Sequence, residues 1–334
     1  MTQESRDRLF GYEHAFDDPV TLAVTIGLAV ALLVTPLILL GLDRLGKIGP
    51  GMRPELWRRY FSWLILVPLI LVPILMGAFW AVMGIGILGL LCGREYSRAT
   101  GLFREHLINA VIVVGIFLIY FAVLDNWYRL FVALTPLSIS LMAAVAITAD
   151  RPQGYIQRVA LGVLGFTLFG TGLGHLAFLT NDPGYRPVLI LVFLAVEAND
   201  VFAFLSGKAI GGPKLAPNTS PNKTAGGSLG ALVLTTLLVV GIGTPIFRGT
   251  AIGGWPQLAI LGMLISVVGQ LGDLMLSSIK RDLGLKDMGT TIPGHGGLLD
   301  RFDSLILVAP VVFHYLNYFV GVGTGEPQNI FTGG

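Results

Sequence analysis

Long apolar runs separated by short polar stretches dominate this chain. Each run is about 17–24 residues long, the length that a helix needs to cross the hydrocarbon core of a bilayer. Strands of a membrane β-barrel would alternate apolar and polar residues over about ten positions, and no such alternation is sustained. The pattern predicts an all-α, polytopic integral membrane protein with about ten (8–10) transmembrane helices. The predicted spans are residues 20–42, 60–76, 78–98, 108–124, 130–148, 158–179, 187–205, 228–245, 257–280 and 304–322.

The run from Phe61 to Cys92 is the one ambiguous part of this pattern, because it fits either one long helix or a hairpin that breaks near Gly77. With a hairpin and the N-terminus outside, sixteen Lys and Arg residues fall in inside loops and five in outside segments. Inside loops of membrane proteins carry such an excess of positive charge. A single span would place two neighbouring basic loops on opposite sides, so we predict the hairpin.

Composition supports a membrane protein and excludes a nucleic-acid binder. Apolar residues make up 54% of the chain and charged residues 13%, whereas soluble domains have about 25% charged residues. The net charge of +2 is too small to indicate the basic surface of a nucleic-acid-binding protein. We expect four regions: an N-terminal polar segment (1–19), an N-terminal transmembrane region (20–180), a C-terminal transmembrane catalytic region (181–322) and a flexible tail (323–334).

The densest polar cluster lies near the C-terminus. Asp273 falls inside an apolar span, where a carboxylate costs at least about 2.5–3.5 kcal/mol on insertion scales. Asp273, Ser277 and Arg281 share one helix face by their spacing of four, and Asp300 and Asp303 share another. Three carboxylates that meet near the inner membrane surface would suit a hard cation such as Mg²⁺ bound with phosphates.

A purely structural interpretation of the same acids stays open. Asp273 would then form a buried ion pair with Arg281 or Lys280. Asp300 would cap the last helix, and Asp303 would interact with the dipole of its first turn.

The loop before the last span suits an anion. Glycines at 294, 296 and 297 let backbone N–H groups approach a phosphate closely. Between them, His295 would contact phosphate or substrate, relay a proton, or only cap the helix.

A second cluster begins at the end of the seventh span. Glu197 and Asp200 are three residues apart and face the same way. Lys208, Lys214 and Lys223 follow in a loop where they would neutralise a polyanion at the membrane surface. The alternative is that these lysines only obey the positive-inside rule.

At these two clusters the sequence resembles the phosphatidate cytidylyltransferase (CDP-diacylglycerol synthase) family. Two departures concern the nucleotide side: Gly226 stands where the family has an acidic or amide residue, and Val201-Phe202-Ala203-Phe204 replaces the familiar run after Asp200. The C-terminal signature is matched by Ser277, Ile279, Lys280, Arg281, Lys286, Asp287, Gly289, Ile292, Pro293, His295, Gly296, Gly297, Asp300, Arg301 and Asp303. The upstream motif is matched by Asp200, Gly207, Lys208, Ser220, Pro221, Lys223, Thr224 and Gly227.

The resemblance implies a CTP-dependent cytidylyltransferase that converts phosphatidate and CTP to CDP-diacylglycerol and pyrophosphate. It implies Mg²⁺ on Asp273, Asp300 and Asp303, and leaves a second metal ion open. The implied catalytic residues are Asp273, Lys280, Arg281, Asp300, Arg301 and Asp303. Together with Lys214, which is predicted from its charge and position in the loop, the predicted substrate-binding residues are Asp200, Lys208, Ser220, Lys223, Thr224, Ser277, Lys286, Asp287, His295, Gly296 and Gly297.

The expected partners are CTP, phosphatidate or a similar anionic lipid, and the bilayer. No nucleic acid is expected, and a homodimer is left open. We expect a bacterial cytoplasmic membrane with the active site facing the cytoplasm.

Other functions fit parts of the pattern. One alternative is a CTP-dependent lipid kinase or a cytidylyltransferase for another phospholipid, and another is a catalytically silent member of the family. A secondary transporter with Asp273 as its ion site is a remote alternative, because the first half of the chain has no counterpart of that residue. His175, His314 and Glu95 are interpreted as packing or local hydrogen-bonding residues.

Overall fold

A computed structural model of the chain describes residues 3–49, 51–289, 291, 296–321 and 329–333. Ten helical spans in these ranges are long and apolar enough to cross a membrane, which confirms the predicted all-α polytopic fold. The helices are α1 (Gln3–Phe10), α2 (Pro19–Arg44), α3 (Arg53–Met76), α4 (Ala78–Thr100), α5 (His106–Leu124), α6 (Tyr128–Ile147), α7 (Tyr155–Gly165), α8 (Leu173–Phe178), α9 (Tyr185–Ala209), α10 (Ala225–Ile246), α11 (Trp255–Asp282) and α12 (Asp303–Val320).

Several short elements complete the fold. A π-helical segment, Phe166–Gly172, joins α7 to α8 so that Tyr155–Asn181 forms one span. Antiparallel strands β1 (Lys214–Ala216) and β2 (Ser220–Thr224) form a hairpin before α10. Short 3₁₀ turns lie at Tyr12–His14, Leu102–Arg104 and Leu179–Asn181.

The predicted hairpin at Gly77 is confirmed. This glycine separates α3 from α4 and has a φ of 132°, a conformation that side chains other than hydrogen rarely allow. A Cβ atom there would lie 2.3 Å from the carbonyl oxygen of Leu9. The break therefore depends on a glycine both for its backbone conformation and for its contact with the N-terminal segment.

The last four long helices bring their polar ends together. Since α9, α10, α11 and α12 follow one another as neighbouring spans, the ends of α9 and α11 and the starts of α10 and α12 lie at one end of the bundle, here called the active-site end. Gly272 of α11 lies against the start of α12, where a Cβ atom would be 2.7 Å from the carbonyl oxygen of Asp303. This close crossing places Asp273 beside the first turn of α12.

Buried polar side chains link these helices inside the apolar region. Asn199 of α9 is 1% exposed and accepts hydrogen bonds from Thr235 of α10 and Ser266 of α11 through one oxygen. Gln270 of α11 donates to Ser266 and accepts from Ser228 of α10. Polar residues often join helices this way within membranes. The network fixes the three helices directly below the acidic residues of the site.

The described parts of both terminal segments lie at the opposite end of the bundle. Arg186 donates to the carbonyl oxygen of Gly11 at 2.7 Å, which fastens the N-terminal segment to α9. The backbone N–H groups of Phe331 and Thr332 donate to the carboxylate of Asp125. These described tail residues supply hydrogen-bond donors to the fully buried Asp125 carboxylate, and the flexibility of the tail stays a prediction.

Candidate active site

Asp273 is held between two side chains at the active-site end. Its Oδ2 atom lies 2.6 Å from Nζ of Lys223, which comes from strand β2, and its Oδ1 accepts a hydrogen bond from Ser277 at 3.1 Å. Both members of the Asp273–Lys223 ion pair remain about one-quarter exposed or less. The two clusters found in the sequence thus meet in space. The partner of Asp273 is Lys223, rather than the Arg281 or Lys280 of the structural interpretation.

Asp300 is the most firmly held acid of the site. Its Oδ1 accepts a hydrogen bond from Nζ of Lys280 at 2.8 Å, and its Oδ2 accepts from the backbone N–H groups of Met288 and Gly297 at 2.8 and 2.9 Å. The side chains of Asp300 and Lys280 are 3% and 11% exposed. A buried ion pair requires such extra hydrogen bonds to offset its desolvation. Asp300 therefore joins the end of α11 to the loop before α12.

The third predicted acid, Asp303, is buried at the start of α12. Its Oδ1 accepts from the backbone N–H of Ser304 at 2.8 Å. Its carboxylate also lies within electrostatic reach of Asp273, Asp200 and Lys280. Asp303 thus belongs to a mutually repelling group of carboxylates.

Asp200 links that group to α9. It interacts electrostatically with Asp273, Lys223 and Arg301, and Glu197 one turn earlier interacts with Asp200 and Arg301. The acids of α9 therefore interact electrostatically with Asp273 of α11 and Asp303 at the start of α12, and Arg301 interacts with both acids of α9.

The chemistry of these donors fits a hard cation. Carboxylate oxygens are the ligands that Mg²⁺ prefers, and a cation would relieve the repulsion among Asp200, Asp273 and Asp303. Within the described ranges, however, no three His, Cys, Asp or Glu side chains are arranged to hold a metal ion. Asp300 already uses both oxygens on Lys280 and two backbone N–H groups. The assignment of Mg²⁺ to Asp273, Asp300 and Asp303 therefore stays a prediction.

The β-hairpin carries several predicted substrate-binding residues over the acids. Thr224 caps α10 by accepting a hydrogen bond from the N–H of Gly227 at 3.2 Å. Arg281 donates to the carbonyl oxygen of Thr219 at 3.3 Å and so supports the turn of the hairpin. Ser220 and Lys223 lie on β2, whereas Lys214 lies exposed on β1.

Gly226, one departure from the family pattern, has a structural reason. Its N–H donates to the carbonyl oxygen of Gly211 at 2.9 Å. A Cβ atom on Gly226 would lie 2.5 Å from that oxygen and 2.7 Å from a side-chain carbon of Ile210. An acidic or amide side chain would therefore not fit this packing. The change leaves the contact between Lys223 and Asp273 in place.

Other predicted residues lie farther from the acids or outside the described ranges. Nζ of Lys208 lies 4.3 Å from the ring centre of Phe204, a cation–π contact on an exposed face of α9. Lys286 and Asp287 are exposed in the loop after α11. Gly296 has a φ of 81°, and a Cβ atom there would lie 3.0 Å from Oδ2 of Asp300. The predicted roles of Ile292, Pro293, Gly294 and His295 fall outside the residues that the structure describes.

Sequence reasoning missed the connection between Glu95 and the loop before α12. Glu95 lies near the end of α4 and accepts hydrogen bonds from the N–H groups of Leu298 and Leu299 and from the hydroxyl of Thr291. The available signal was a carboxylate within a predicted span, which is costly without partners. Its spacing from the loop, about two hundred residues, hid the contact.

The two histidines within spans pack together, as the sequence interpretation expects. The rings of His175 and His314 lie 4.9 Å apart, and Nδ1 of His175 lies 2.7 Å from the carbonyl oxygen of Thr171 in the π-helical segment.

A polytopic membrane protein with carboxylates and basic loops gathered at one end of its helices defines a class: integral membrane enzymes that act on anionic substrates at the membrane surface. The sequence profile of the cytidylyltransferase family matches residues 57–319. The chain belongs to the cytidylyltransferase family, and this confirms the family predicted from its motifs.

Individual relatives agree with this assignment. The chain is 43% identical to the phosphatidate cytidylyltransferase of Brucella abortus biovar 1 over 44% of this chain and 52% of that protein. It is 35% identical to the phosphatidate cytidylyltransferase of Rickettsia bellii over 54% of this chain and 80% of the relative. It is also 35% identical to the uncharacterized protein YnbB of Escherichia coli strain K12, over 61% and 69% of the two chains. The similarity thus spans about half the length of the Brucella enzyme.

Proposed function

We propose that this chain transfers the cytidylyl group of CTP to phosphatidate, giving CDP-diacylglycerol and pyrophosphate. The observation that carries the proposal is the meeting of the two motif clusters, in which Lys223 of the hairpin contacts Asp273 of α11 at 2.6 Å. That contact gathers acids and cations from four helix ends at one membrane surface. The names of the relatives from Brucella and Rickettsia support the choice of lipid.

In the proposed reaction, an oxygen of the lipid phosphate attacks the α-phosphorus of CTP. The bond from the α-phosphorus to the bridging oxygen breaks, and pyrophosphate leaves with that oxygen. A phosphate monoester is itself a nucleophile, so no dedicated general base is required. Both reactants are anionic, and catalysis of such transfers depends mainly on positioning and electrostatic stabilisation.

The basic side chains of the site supply that stabilisation. Lys223 and Lys280 are each oriented by a carboxylate, and Arg301 lies among the acids of α9. The backbone N–H groups of Met288 and Gly297 fix Asp300, which in turn holds Lys280 at the end of α11. We assign Lys223, Lys280 and Arg301 to phosphate binding without dividing them between CTP and lipid.

We further propose that Mg²⁺ is held by Asp273, Asp300 and Asp303, and a second ion is left open. When bound, the ion supplies neutralisation of phosphate charge. Asp300 would bind the ion only if it exchanged its hydrogen bond with Lys280 for a metal bond. Asp273 and Asp303 carry like charges that interact, and a cation between them would reduce their repulsion.

Membrane orientation is also a proposal. The ends of α2, α4, α6, α9 and α11 lie at the active-site end, and the inside loops predicted from the sequence carry sixteen basic residues against five outside. The positive-inside rule then favours a cytoplasmic active site in a bacterial cytoplasmic membrane.

The proposal is tested by pyrophosphate release from CTP in detergent, with phosphatidate and Mg²⁺. We expect Asp273→Asn to lower the rate by about a hundredfold or more, because the site loses a charged partner of Lys223. Asp150→Asn is the matched control, since Asp150 lies exposed at the same end of the bundle in a positive-φ conformation that Asn tolerates. Equal rates for the two variants would contradict the proposal.

A further inference from the structure

Glu95 lies in α4, and its side chain accepts hydrogen bonds from the loop before α12. Its Oε1 accepts from the N–H of Leu298 at 3.0 Å and from the hydroxyl of Thr291. Its Oε2 accepts from the N–H of Leu299 at 2.8 Å. The residue is 9% exposed, so these bonds form away from bulk water.

Two glycines of the loop make room for this carboxylate. A Cβ atom on Gly289 would lie 2.8 Å from the carboxyl carbon of Glu95, and one on Gly297 would lie 2.4 Å from Oε2. Any side chain at either position would displace Glu95 or the loop. The absence of side chains at Gly289 and Gly297 therefore fits the insertion of Glu95 between them.

The contacts of Glu95 adjoin those of Asp300. Leu298 and Leu299, which Glu95 holds, lie between Gly297 and Asp300 in sequence, and the N–H of Gly297 donates to Asp300. Successive N–H groups of one turn are thus shared between two carboxylates, Asp300 from within the loop and Glu95 from α4. Loss of either carboxylate would leave buried N–H groups without acceptors, which the fold avoids by rearranging.

We propose that Glu95 is a positioning residue for nucleotidyl transfer: it holds the 297–300 turn so that Asp300 and Lys280 stay aligned. Glu95 acts through the loop and is not assigned a contact with substrate. This inference rests on the proposed function only where enzyme activity is measured. The contact between Glu95 and the 297–300 turn can be measured without turnover.

The variant Glu95→Gln tests the role with little change in side-chain volume. The amide keeps one acceptor oxygen and presents an N–H₂ group to a backbone N–H that formerly donated to Glu95. We expect kcat to fall about tenfold or more while KM for CTP changes less than about threefold, the pattern of a group needed in the transition state rather than for ground-state binding. Glu105→Gln is the matched control, because Glu105 is also partly buried but pairs with Arg151 at 3.1 Å, away from the loop.

Hydrogen–deuterium exchange in detergent, without substrate, provides the second measurement. In Glu95→Gln we expect faster exchange confined to the segment around Leu298 and Leu299, with α5 and α6 exchanging as in the unchanged protein. A third variant, Gly297→Ala, disrupts the same contact from the loop side. In the double variant with Glu95→Gln, we expect the decrease in kcat to be smaller than the product of the two single decreases.

Three results would overturn the inference: unchanged kcat in Glu95→Gln, a change in KM alone, or faster exchange spread over the whole bundle. The last would mark Glu95 as a general structural residue. If the unchanged protein makes no CDP-lipid, the proposed function fails, while the exchange measurement still decides whether Glu95 holds the turn.

Discussion

The pair formed by Lys280 and Asp300 shows how single residues determine this site. Both are buried within a membrane protein, and Asp300 has three hydrogen-bond donors around its two oxygens. A pair of this kind is costly to break from one side, because the remaining charge stays buried. We therefore regard the Lys280–Asp300 pair as a stabilising contact of the loop before α12 as well as part of the proposed site.

Replacing Lys280 by methionine should destabilise the protein by about 3–5 kcal/mol, since Asp300 would keep its negative charge without a counterion. Chemical denaturation in detergent micelles, followed by circular dichroism, measures this change. Lys286→Met is the control, because Lys286 is exposed in the same loop region and should change stability by less than about 0.5 kcal/mol. Equal stability of the two variants would show that the Lys280–Asp300 pair is not intact in the membrane protein.

At the scale of elements, the hydropathy pattern predicted the spans well because a bilayer imposes a fixed length on each helix. At Gly77 hydropathy left one long helix and a hairpin open, and the distribution of Lys and Arg residues correctly favoured the hairpin. Hydropathy did not predict the π-helical segment Phe166–Gly172 or helix α1, because both depend on tertiary packing that periodicity does not reveal. The β1–β2 hairpin escaped notice for a similar reason: an isolated two-stranded hairpin is marginal, and its support comes from Arg281 and the cap of α10.

In the site, too, the sequence pattern reveals some features, while others depend on tertiary contacts. Motif spacing selected Asp273, Asp300 and Lys223 as candidate site residues, and Asp273 also stands out because a carboxylate within a span is costly. The sequence did not reveal which cation meets which acid, since the Lys223–Asp273 contact joins strand β2 to helix α11, two elements that are distant in sequence. Glu95 escaped for the same reason.

The cap that Thr224 provides for α10 is testable at this scale. Thr224→Ala should cost about 0.5–2 kcal/mol, because the N–H of Gly227 loses its side-chain acceptor. Thermal unfolding in detergent compares it with Thr244→Ala, whose hydroxyl only bonds back to Val240 within α10. If both variants unfold at the same temperature, the hairpin is not coupled to the helix through this cap.

For the whole molecule, the alternation of ten spans places the acids and most basic loops at one end and both described terminal segments at the other. The proposed neutralisation of substrate charge and the charge bias that orients membrane proteins thus fall at the same end of the bundle. Helix α2, which precedes the residues matched by the family profile, buries little of its surface within the chain and is available to face lipid.

Membrane orientation is testable with single cysteines. The natural Cys92 is fully buried, so it gives little background with a water-soluble maleimide. We expect Asn218→Cys, on the exposed hairpin turn, to react only after cells are permeabilised. Arg248→Cys, exposed at the opposite end, should react in intact cells. The reverse labelling pattern would place the active site outside.

Cytidylyl transfer to a lipid phosphate is tested by following the fate of labelled CTP. Purified protein in detergent is given phosphatidate, Mg²⁺ and CTP labelled either at the α-phosphate or at the γ-phosphate. We expect the α-label to enter the lipid fraction as CDP-diacylglycerol and the γ-label to leave as pyrophosphate. Transfer of the γ-label to lipid, with release of CDP, would identify a lipid kinase and rule out cytidylyl transfer.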